Sequence, residues 1–255
     1  MNELALFAGI GGIGLGLKRA FERRGLPSRT VCYVEWDDYC IEVLKSRIRD
    51  GMLDDAPIWG DIAAFDGRPW AGCVDIVTGG FPCQDLSFAG KGAGLEGERS
   101  GLFFELLRVV REVRPGIALL ENVPALLIRG FGRVAAEMAA SGYDLQWDCI
   151  PAAAVGSPQR RSRAFIIAYN GIQRIQRFFQ ESPHQFPAFS WCEDVRRLED
   201  LRERSDIPKP LIRGTSDGIP DWVDRLKALG NAVVPQVAEY VGERLIDWLY
   251  GSENG

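Results

Sequence analysis

Three kinds of segment are missing from this chain of 255 residues. No apolar run approaches the length that spans a bilayer, so we expect no membrane insertion. No basic stretch followed by an apolar region marks an export signal, so we expect a cytoplasmic protein. The sequence also lacks repeats and low-complexity tracts, which argues against a solenoid or a linker-rich chain.

Closely spaced cysteines are missing as well. The six cysteines are Cys32, Cys40, Cys73, Cys83, Cys149 and Cys192, and no two have the spacing typical of zinc or redox sites. We therefore expect no metal. Most of these thiols are expected to be small buried hydrophobes in a reducing compartment, which leaves room for a single reactive one.

Positive charge is scarce, because the formal net charge is -5. Nucleic-acid binding depends on Lys and Arg, but a local basic patch on an acidic body is sufficient. Residues 159–213 carry an excess of Lys and Arg. This excess fits such a patch and fits an unevenly charged solvated surface equally well.

Strand-like and helical segments alternate along most of the chain. The predicted strands are Leu4–Phe7, Val31–Val34, Val74–Thr78, Ile117–Leu120 and Ala164–Ala168; the predicted helices are Leu15–Arg24, Tyr39–Arg49, Ser100–Arg111, Phe131–Ser141 and one that begins near Pro235. Alternation of this kind predicts an α/β fold with a Rossmann-like, mostly parallel sheet. Residues 170–224 are polar and rich in proline, so we predict a small loop-rich region there, with 1–169 and 225–255 forming the main domain.

A glycine-rich turn follows the first predicted strand and precedes the first helix. Gly9, Gly11 and Gly14 satisfy G-x-G-x-x-G, and Glu35 stands at the end of the second strand. Glycines allow a tight turn and close approach to a ligand, and a carboxylate at that strand end binds ribose hydroxyls. The motif indicates a nucleoside cofactor, and a dinucleotide fits it as well as other adenosine ligands.

Candidate functional side chains follow two other predicted strands and precede a third. Cys83 comes after the third strand and Glu121 directly after the fourth, and carboxyl ends of parallel strands carry sites. Arg161 and Arg163 precede the fifth strand and point to one side if that segment is extended. Taken singly, each has an ordinary alternative: packing for the thiol, an ion pair or cap for the carboxylate, a solvated strand entry for the arginines.

In combination and order these motifs resemble the DNA (cytosine-5) methyltransferases. The matching stretches read Phe-x-Gly-x-Gly-Gly, Gly-Phe-Pro-Cys-Gln, Glu-Asn-Val, Gln-Arg-Arg-Ser-Arg and Gly-Asn-Ala-Val-Val-Pro, within residues 3–169 and about 225–248. The resemblance implies methyl transfer from S-adenosylmethionine to cytosine C5 in double-stranded DNA, with the base flipped out of the duplex. It further implies a monomeric, prokaryotic or phage-encoded enzyme of the restriction-modification type.

The resemblance also implies roles for individual residues. Cys83 matches the nucleophile that attacks cytosine C6, Glu121 the group that contacts N3 and the amine, and Arg163 the group at O2, with Arg161 beside it. The implied cofactor-binding residues are Phe7, Gly9, Ile10, Gly11, Gly12, Glu35, Trp36, Asp61, Ile62, Pro82, Leu102, Asn231, Ala232 and Val233. The implied DNA-binding residues are Gln84, Ser87 and Gln159.

Three other functions remain open from the sequence. A transfer-RNA cytosine-5 methyltransferase is the runner-up, although the Cys-Phe-Thr signature of that branch is not visible. A non-catalytic DNA-binding relative is the second alternative, and it does not explain why Cys83, Glu121 and Arg163 are all present. A nicotinamide-dependent dehydrogenase is the third, and it explains only the glycine turn. The predicted recognition region is short, and Pro210–Arg213 is the nearest candidate for the family's arginine landmark. Recognition is therefore predicted to be economical, relaxed or assisted by a partner.

Overall fold

The computed structural model describes residues 1–82, 101–157, 161–170 and 222–251. Within these ranges the strands are β1 (Asn2–Leu6), β2 (Arg29–Val34), β3 (Ile58–Trp59), β4 (Ile76–Gly79), β5 (Ile117–Asn122), β6 (Asp144–Pro151) and β7 (Ser162–Tyr169). The helices are α1 (Gly12–Arg23), α2 (Asp38–Arg49), α3 (Gly101–Val113), α4 (Leu126–Arg129), α5 (Phe131–Ala140), α6 (Trp222–Asn231) and α7 (Pro235–Gly251).

The described strands form one sheet in the order β3-β2-β1-β4-β5-β7-β6. The first five strands of that order run parallel, whereas β7 is antiparallel to β5 and β6 is antiparallel to β7. The order reverses between β1 and β4, and open α/β sheets bind ligands at the carboxyl ends of the strands beside such a reversal. The predicted α/β, mostly parallel sheet is confirmed.

Apolar side chains cover both faces of the sheet, as its central strands require. One face packs against α3 and α5 through residues such as Leu106, Val110 and Met138. On the opposite face α1 and α7 pack tightly, with Ala20 and Ala238 fully buried. Every residue of β5 is buried, so this strand lies at the centre and brings Glu121, its penultimate residue, to the carboxyl edge of the sheet.

All five predicted strands and all five predicted helices are present, with ends shifted by a few residues. Four elements were not predicted from the sequence: the two-residue strand β3, the edge strand β6, the one-turn helix α4 and helix α6. Helix α6 begins at Trp222 and so crosses the boundary predicted after residue 224; the division into two regions stays a prediction. In the part of the chain that the structure describes, no helix has the length and apolar character of a membrane span.

Candidate active site

The glycine turn between β1 and α1 has an unusual backbone. Gly9 and Gly11 have φ values of 55° and 81°, and Phe7 itself has φ 49°. A positive φ is uncommon for a residue other than glycine and marks strain that ligand-binding turns often carry. Arg47 donates a hydrogen bond to the carbonyl oxygen of Ile10 and so holds the turn from α2. A small cavity lies between this turn and the strands, against Phe7 and Gly11 among others.

Glu35 joins the end of β2 to the glycine turn. Its Oε2 accepts a hydrogen bond from the Gly9 N–H at 2.7 Å, and its Oε1 accepts from the N–H groups of Trp36 and Asp37 at 3.0 and 2.9 Å. Three main-chain donors fix this carboxylate at the sheet edge and leave its remaining lone pairs directed elsewhere. A carboxylate held in this position is suited to a ribose diol.

An aromatic surface and a second acidic residue lie near Glu35. Trp36 is 81% exposed, which is unusual for so large an apolar ring and provides a platform for stacking. On the neighbouring strand β3, Trp59 donates its indole N–H to the carbonyl oxygen of Asp61 at 3.0 Å. Asp61 caps a short 3-10 helix through Ala63, and the adjacent Ile62 is buried. The residues present therefore fit an adenosine group.

The segment between α6 and α7 closes against the glycine turn. A methyl group on Gly12 would come within 2.5 Å of the Val233 carbonyl oxygen, so glycine is required for this approach. Ala232 packs beside Ile10, and Val233 is buried, whereas Asn231 is exposed. The C-terminal segment is thus brought to the turn, while its role in binding a cofactor stays a prediction.

Glu121 and Arg163 form a buried ion pair at the carboxyl end of β5. The Arg163 Nε lies 2.7 Å from the Glu121 Oε1, and the Glu121 side chain is 8% exposed. Antiparallel pairing of β7 with β5 places Phe165 opposite Glu121. Because side chains alternate along a strand, Arg163 and Phe165 share the face on which Glu121 lies, and Arg161 reaches the same Gly230 carbonyl oxygen as Arg163. The prediction that both arginines point to one side is confirmed.

Burial dominates the electrostatics of this pair. It raises the pKa of Glu121 from the ordinary 4.5 to about 7, against the opposing effect of the positive charges of Arg163 and Arg161. Burial, followed by repulsion from Arg163, lowers the pKa of Arg161 to about 10. At neutral pH, Glu121 therefore exists in both protonation states, and Arg161 remains charged.

The backbone that leads to Cys83 is attached to the same strand end. Asn122 donates its side-chain N–H to the Phe81 carbonyl oxygen at 3.1 Å, and Phe81 is buried against the Phe103 ring. A methyl group on Gly80 would lie 2.8 Å from the Glu121 Oε2. The chain therefore passes directly over the Glu121 carboxyl group just before it reaches position 83.

The structure assembles the predicted residues into two groups. Glu121, Arg161 and Arg163 lie together at the end of β5. Around the glycine turn lie Phe7, Gly9, Ile10, Gly11, Gly12, Glu35, Trp36, Ala232 and Val233. Pro82 and Leu102 are both half-buried. The predictions for Cys83, Gln84, Ser87 and Gln159 fall outside the described residues.

Sequence reasoning missed some residues that shape this site. Asn122 was part of the Glu-Asn-Val motif but received no role, although an amide beside the predicted site residue Glu121 was a usable signal. Arg47 gave no signal, because an arginine in the last turn of a helix is ordinary. The carbonyl groups of Leu229 and Gly230, which accept hydrogen bonds from Arg161, carry no sequence signal at all.

The sheet order, the glycine turn and the acidic residue after β2 define the Rossmann-like fold of methyltransferases. The methyltransferase EhMeth of Entamoeba histolytica has the same fold, with a TM-score of 0.63 and 13% identity over 99% of this chain and 98% of that one. The model of the family described as C-5 cytosine-specific DNA methylase matches residues 1–221. The chain belongs to this family.

Relatives in this family have similar sequences but are longer. The type II methyltransferase M.Eco47II of Escherichia coli is 36% identical over 211 residues, which cover 81% of this chain and 48% of that protein. M.HhaI of Haemophilus parahaemolyticus, also a type II methyltransferase, is 31% identical over 90% of this chain and 67% of its own length. The chain spans about half of the length of M.Eco47II and two thirds of that of M.HhaI.

Proposed function

We propose that this chain transfers a methyl group from S-adenosylmethionine to C5 of cytosine in duplex DNA. The observation that carries the proposal is the buried Glu121–Arg163 pair, which lies under the backbone leading to Cys83. A carboxyl group with a pKa near neutrality and a cation at one strand end, with the proposed thiol of Cys83 following in the sequence, suit the chemistry of a pyrimidine ring. Family membership supports the same chemistry.

Cytosine C5 is a poor nucleophile until C6 carries a covalent bond. In the proposed mechanism, the Cys83 thiolate forms an S–C6 bond, and the electron pair of the C5–C6 double bond becomes available at C5. C5 would take the methyl group as the bond between that group and the sulfonium sulfur breaks, its electron pair remaining on the sulfur of the departing thioether. A base then removes the C5 proton. The electron pair of that C–H bond restores the double bond, and the thiolate leaves.

Glu121 has a defined part in this sequence. With a pKa of about 7, its carboxyl group carries a proton in about half of the molecules at neutral pH and donates it toward N3 as charge develops on the ring. Its other oxygen accepts a hydrogen bond from the exocyclic amine. Arg163, released from Glu121, provides a positive charge for the O2 atom of the base.

Bound S-adenosylmethionine supplies an electrophilic methyl group on its sulfonium. Glu35 would bind the ribose hydroxyls, Trp36 would stack on the adenine, and Asp61 would accept a hydrogen bond from the adenine amine. Phe7, Gly11 and the 231–233 segment would surround the methionine end. Residues 170–224 are proposed to recognise the target, with Gln84, Ser87 and Gln159 at the flipped base, since base flipping requires groups that fill the vacated stack.

Methyl transfer with tritiated S-adenosylmethionine tests the proposal. Purified full-length chain is expected to label duplex DNA and not transfer RNA, and bisulfite sequencing of the product reveals the methylated cytosines. An oligonucleotide with 5-fluorocytosine is expected to form a covalent adduct that survives denaturation. Fluorine replaces the C5 hydrogen that a base would remove, so the elimination that releases the enzyme cannot occur. Label in RNA alone would defeat the proposal in favour of an RNA enzyme.

Two serine substitutions provide a matched comparison. Cys83→Ser is expected to abolish label and adduct while S-adenosylhomocysteine still binds, because a hydroxyl is a far weaker nucleophile than a thiolate. Cys73→Ser makes the same chemical change at an exposed cysteine and is expected to leave both signals intact. Activity of the Cys83→Ser protein near that of the parent would remove Cys83 from the mechanism.

A further inference from the structure

The carboxyl end of helix α6 is bound by the guanidinium of Arg161, the residue that precedes β7. The last carbonyl groups of a helix have no partners within it and carry partial negative charge. Arg161 donates one terminal N–H to the Leu229 carbonyl oxygen at 2.9 Å and the other to the Gly230 carbonyl oxygen. The flat fork of arginine is well suited to such paired acceptors.

Arg163 is attached to the same helix end, but differently. Its terminal nitrogen reaches the Gly230 carbonyl oxygen at 3.3 Å, a long hydrogen bond, while its Nε pairs with Glu121. Both terminal nitrogens of Arg161 are engaged with main-chain carbonyls, so Arg161 would have to release the helix before it could contact a substrate. The other terminal nitrogen of Arg163 donates to the carbonyl oxygen of the adjacent Ser162 at 3.0 Å, which does not involve α6. Arg163 can therefore leave the helix by giving up only the long Gly230 contact.

The other side of α6 contacts the residues around the glycine turn. Lys227 pairs with Asp37 at 2.6 Å, and Asp37 donates its N–H to Glu35. Ala228 packs against Ile10 in a small apolar cluster. Helix α6 therefore lies between the Glu121–Arg163 pair and the residues proposed to hold the cofactor, and its last turn is fixed by Arg161.

We infer that Arg161 is a positioning residue that fixes the carboxyl end of α6, so that the cofactor-binding segment 231–233 and the Glu121–Arg163 pair adopt their working geometry together. This inference rests on the proposed function. It gives Arg161 a role distinct from that of Arg163, although both belong to one motif. Arg161 acts on the reaction through Gly230 and through its charge, without touching the base.

The charge of Arg161 provides a signature that a purely structural residue lacks. Among the described residues, the charged groups that act on Glu121 are Arg163 and Arg161, and both lower the pKa of its carboxyl group. Loss of the Arg161 charge therefore raises that pKa further. If the protonated form of Glu121 is the active one, the fall of kcat at alkaline pH moves to higher pH.

Two substitutions separate charge from geometry. Arg161→Met removes both, whereas Arg161→Lys keeps the charge but provides a point donor instead of a fork. We expect Arg161→Met to raise the KM for S-adenosylmethionine about tenfold, which corresponds to the loss of roughly one hydrogen bond to a charged group. We also expect it to move the alkaline fall of kcat to higher pH. Arg161→Lys is expected to raise that KM by a smaller factor without moving the alkaline fall of kcat. Arg68→Met, at a highly exposed arginine, is the control and should change neither.

Two further measurements do not require turnover. Calorimetry with S-adenosylhomocysteine reads the cofactor site, and carbon-13 NMR of labelled glutamate carboxyl groups, assigned with Glu121→Gln, reads the titration of Glu121. Unchanged cofactor affinity in both Arg161 variants, or an unmoved Glu121 titration in Arg161→Met, would overturn the inference. If Arg161→Met does not fold, unchanged affinity in Arg161→Lys has the same force. If the Arg161 variants show the expected shifts but the parent protein transfers no methyl group, the proposed function is refuted and the inference about Arg161 stands.

Discussion

Replacement of Glu121 by glutamine should change how stability depends on pH. Folding raises the pKa of this carboxyl group from 4.5 to about 7, chiefly through burial. The folded protein thus holds the proton more tightly than the unfolded chain does. As pH rises from about 4.5 to about 7, the free energy of unfolding falls, and above that range this contribution is constant. Glutamine cannot ionise, so Glu121→Gln lacks the fall.

The magnitude follows from the two pKa values. One pKa unit corresponds to about 1.4 kcal/mol, so between pH 5 and pH 8 the parent should lose roughly 2 to 3 kcal/mol relative to Glu121→Gln. Urea unfolding at pH 5, 6, 7 and 8 measures this difference directly. Glu42→Gln, which removes an exposed carboxyl group, serves as the control, and its difference from the parent should stay nearly constant.

Two results would refute this reasoning. Parallel stability curves for the parent and Glu121→Gln would mean that Glu121 is equally acidic in both states. A parent that gains stability relative to the variant as pH rises would mean that the Arg163 charge outweighs burial, so that Glu121 is ionised throughout. In that case the carboxylate could not donate a proton to N3, and the proposed role of Glu121 would fail with it.

Two other substitutions probe the packing and the cofactor platform. Gly16→Ala should destabilise the fold by at least about 2 kcal/mol, because the added methyl would lie 2.5 Å from the Ala238 Cβ. Gly132→Ala, whose added methyl meets nothing within 4 Å, is the control. Equal melting temperatures for Gly16→Ala and the parent would contradict the expectation. Trp36→Ala should weaken binding of S-adenosylhomocysteine at least tenfold, about the worth of one stacked base. Calorimetry measures this against Trp147→Ala, at an exposed tryptophan of β6, and unchanged affinity in Trp36→Ala would exclude Trp36 from the adenine site.

The fold was predictable where hydrophobic patterning is strong. Strand β5 is a short apolar run buried on both faces, and such runs indicate central strands of a parallel sheet. Strand β3 has two residues, too few to show any period. Strand β6 did carry a signal, the alternation of Leu145, Trp147 and Cys149 with polar residues, which was overlooked because the segment is polar overall.

The candidate site divides in the same way. A residue at the end of a predicted strand has a known sheet edge, and this is why Glu121, Glu35 and the glycine turn could be placed from the sequence. Contacts to main-chain atoms could not be placed. The carbonyl groups that bind Arg161 belong to Leu229 and Gly230, and the side chains of these residues do not indicate what their carbonyl groups bind. Helix α6 itself was not predicted, because it crosses the predicted end of the polar region.

The reversed direction of β7 has a consequence for how this enzyme family could diversify. Ala164 lies opposite Asn122 at the reactive edge, whereas Tyr169 lies opposite Ile117 at the other end of the sheet. The polypeptide thus enters β7 beside the Glu121–Arg163 pair and leaves it at the opposite edge of the sheet. Segment 171–221 then connects β7 to α6 in the sequence. Segments of different length or sequence could be exchanged there without altering the strand pairing that aligns the reactive groups. Target preference and methyl-transfer chemistry would then evolve as separate modules on one scaffold.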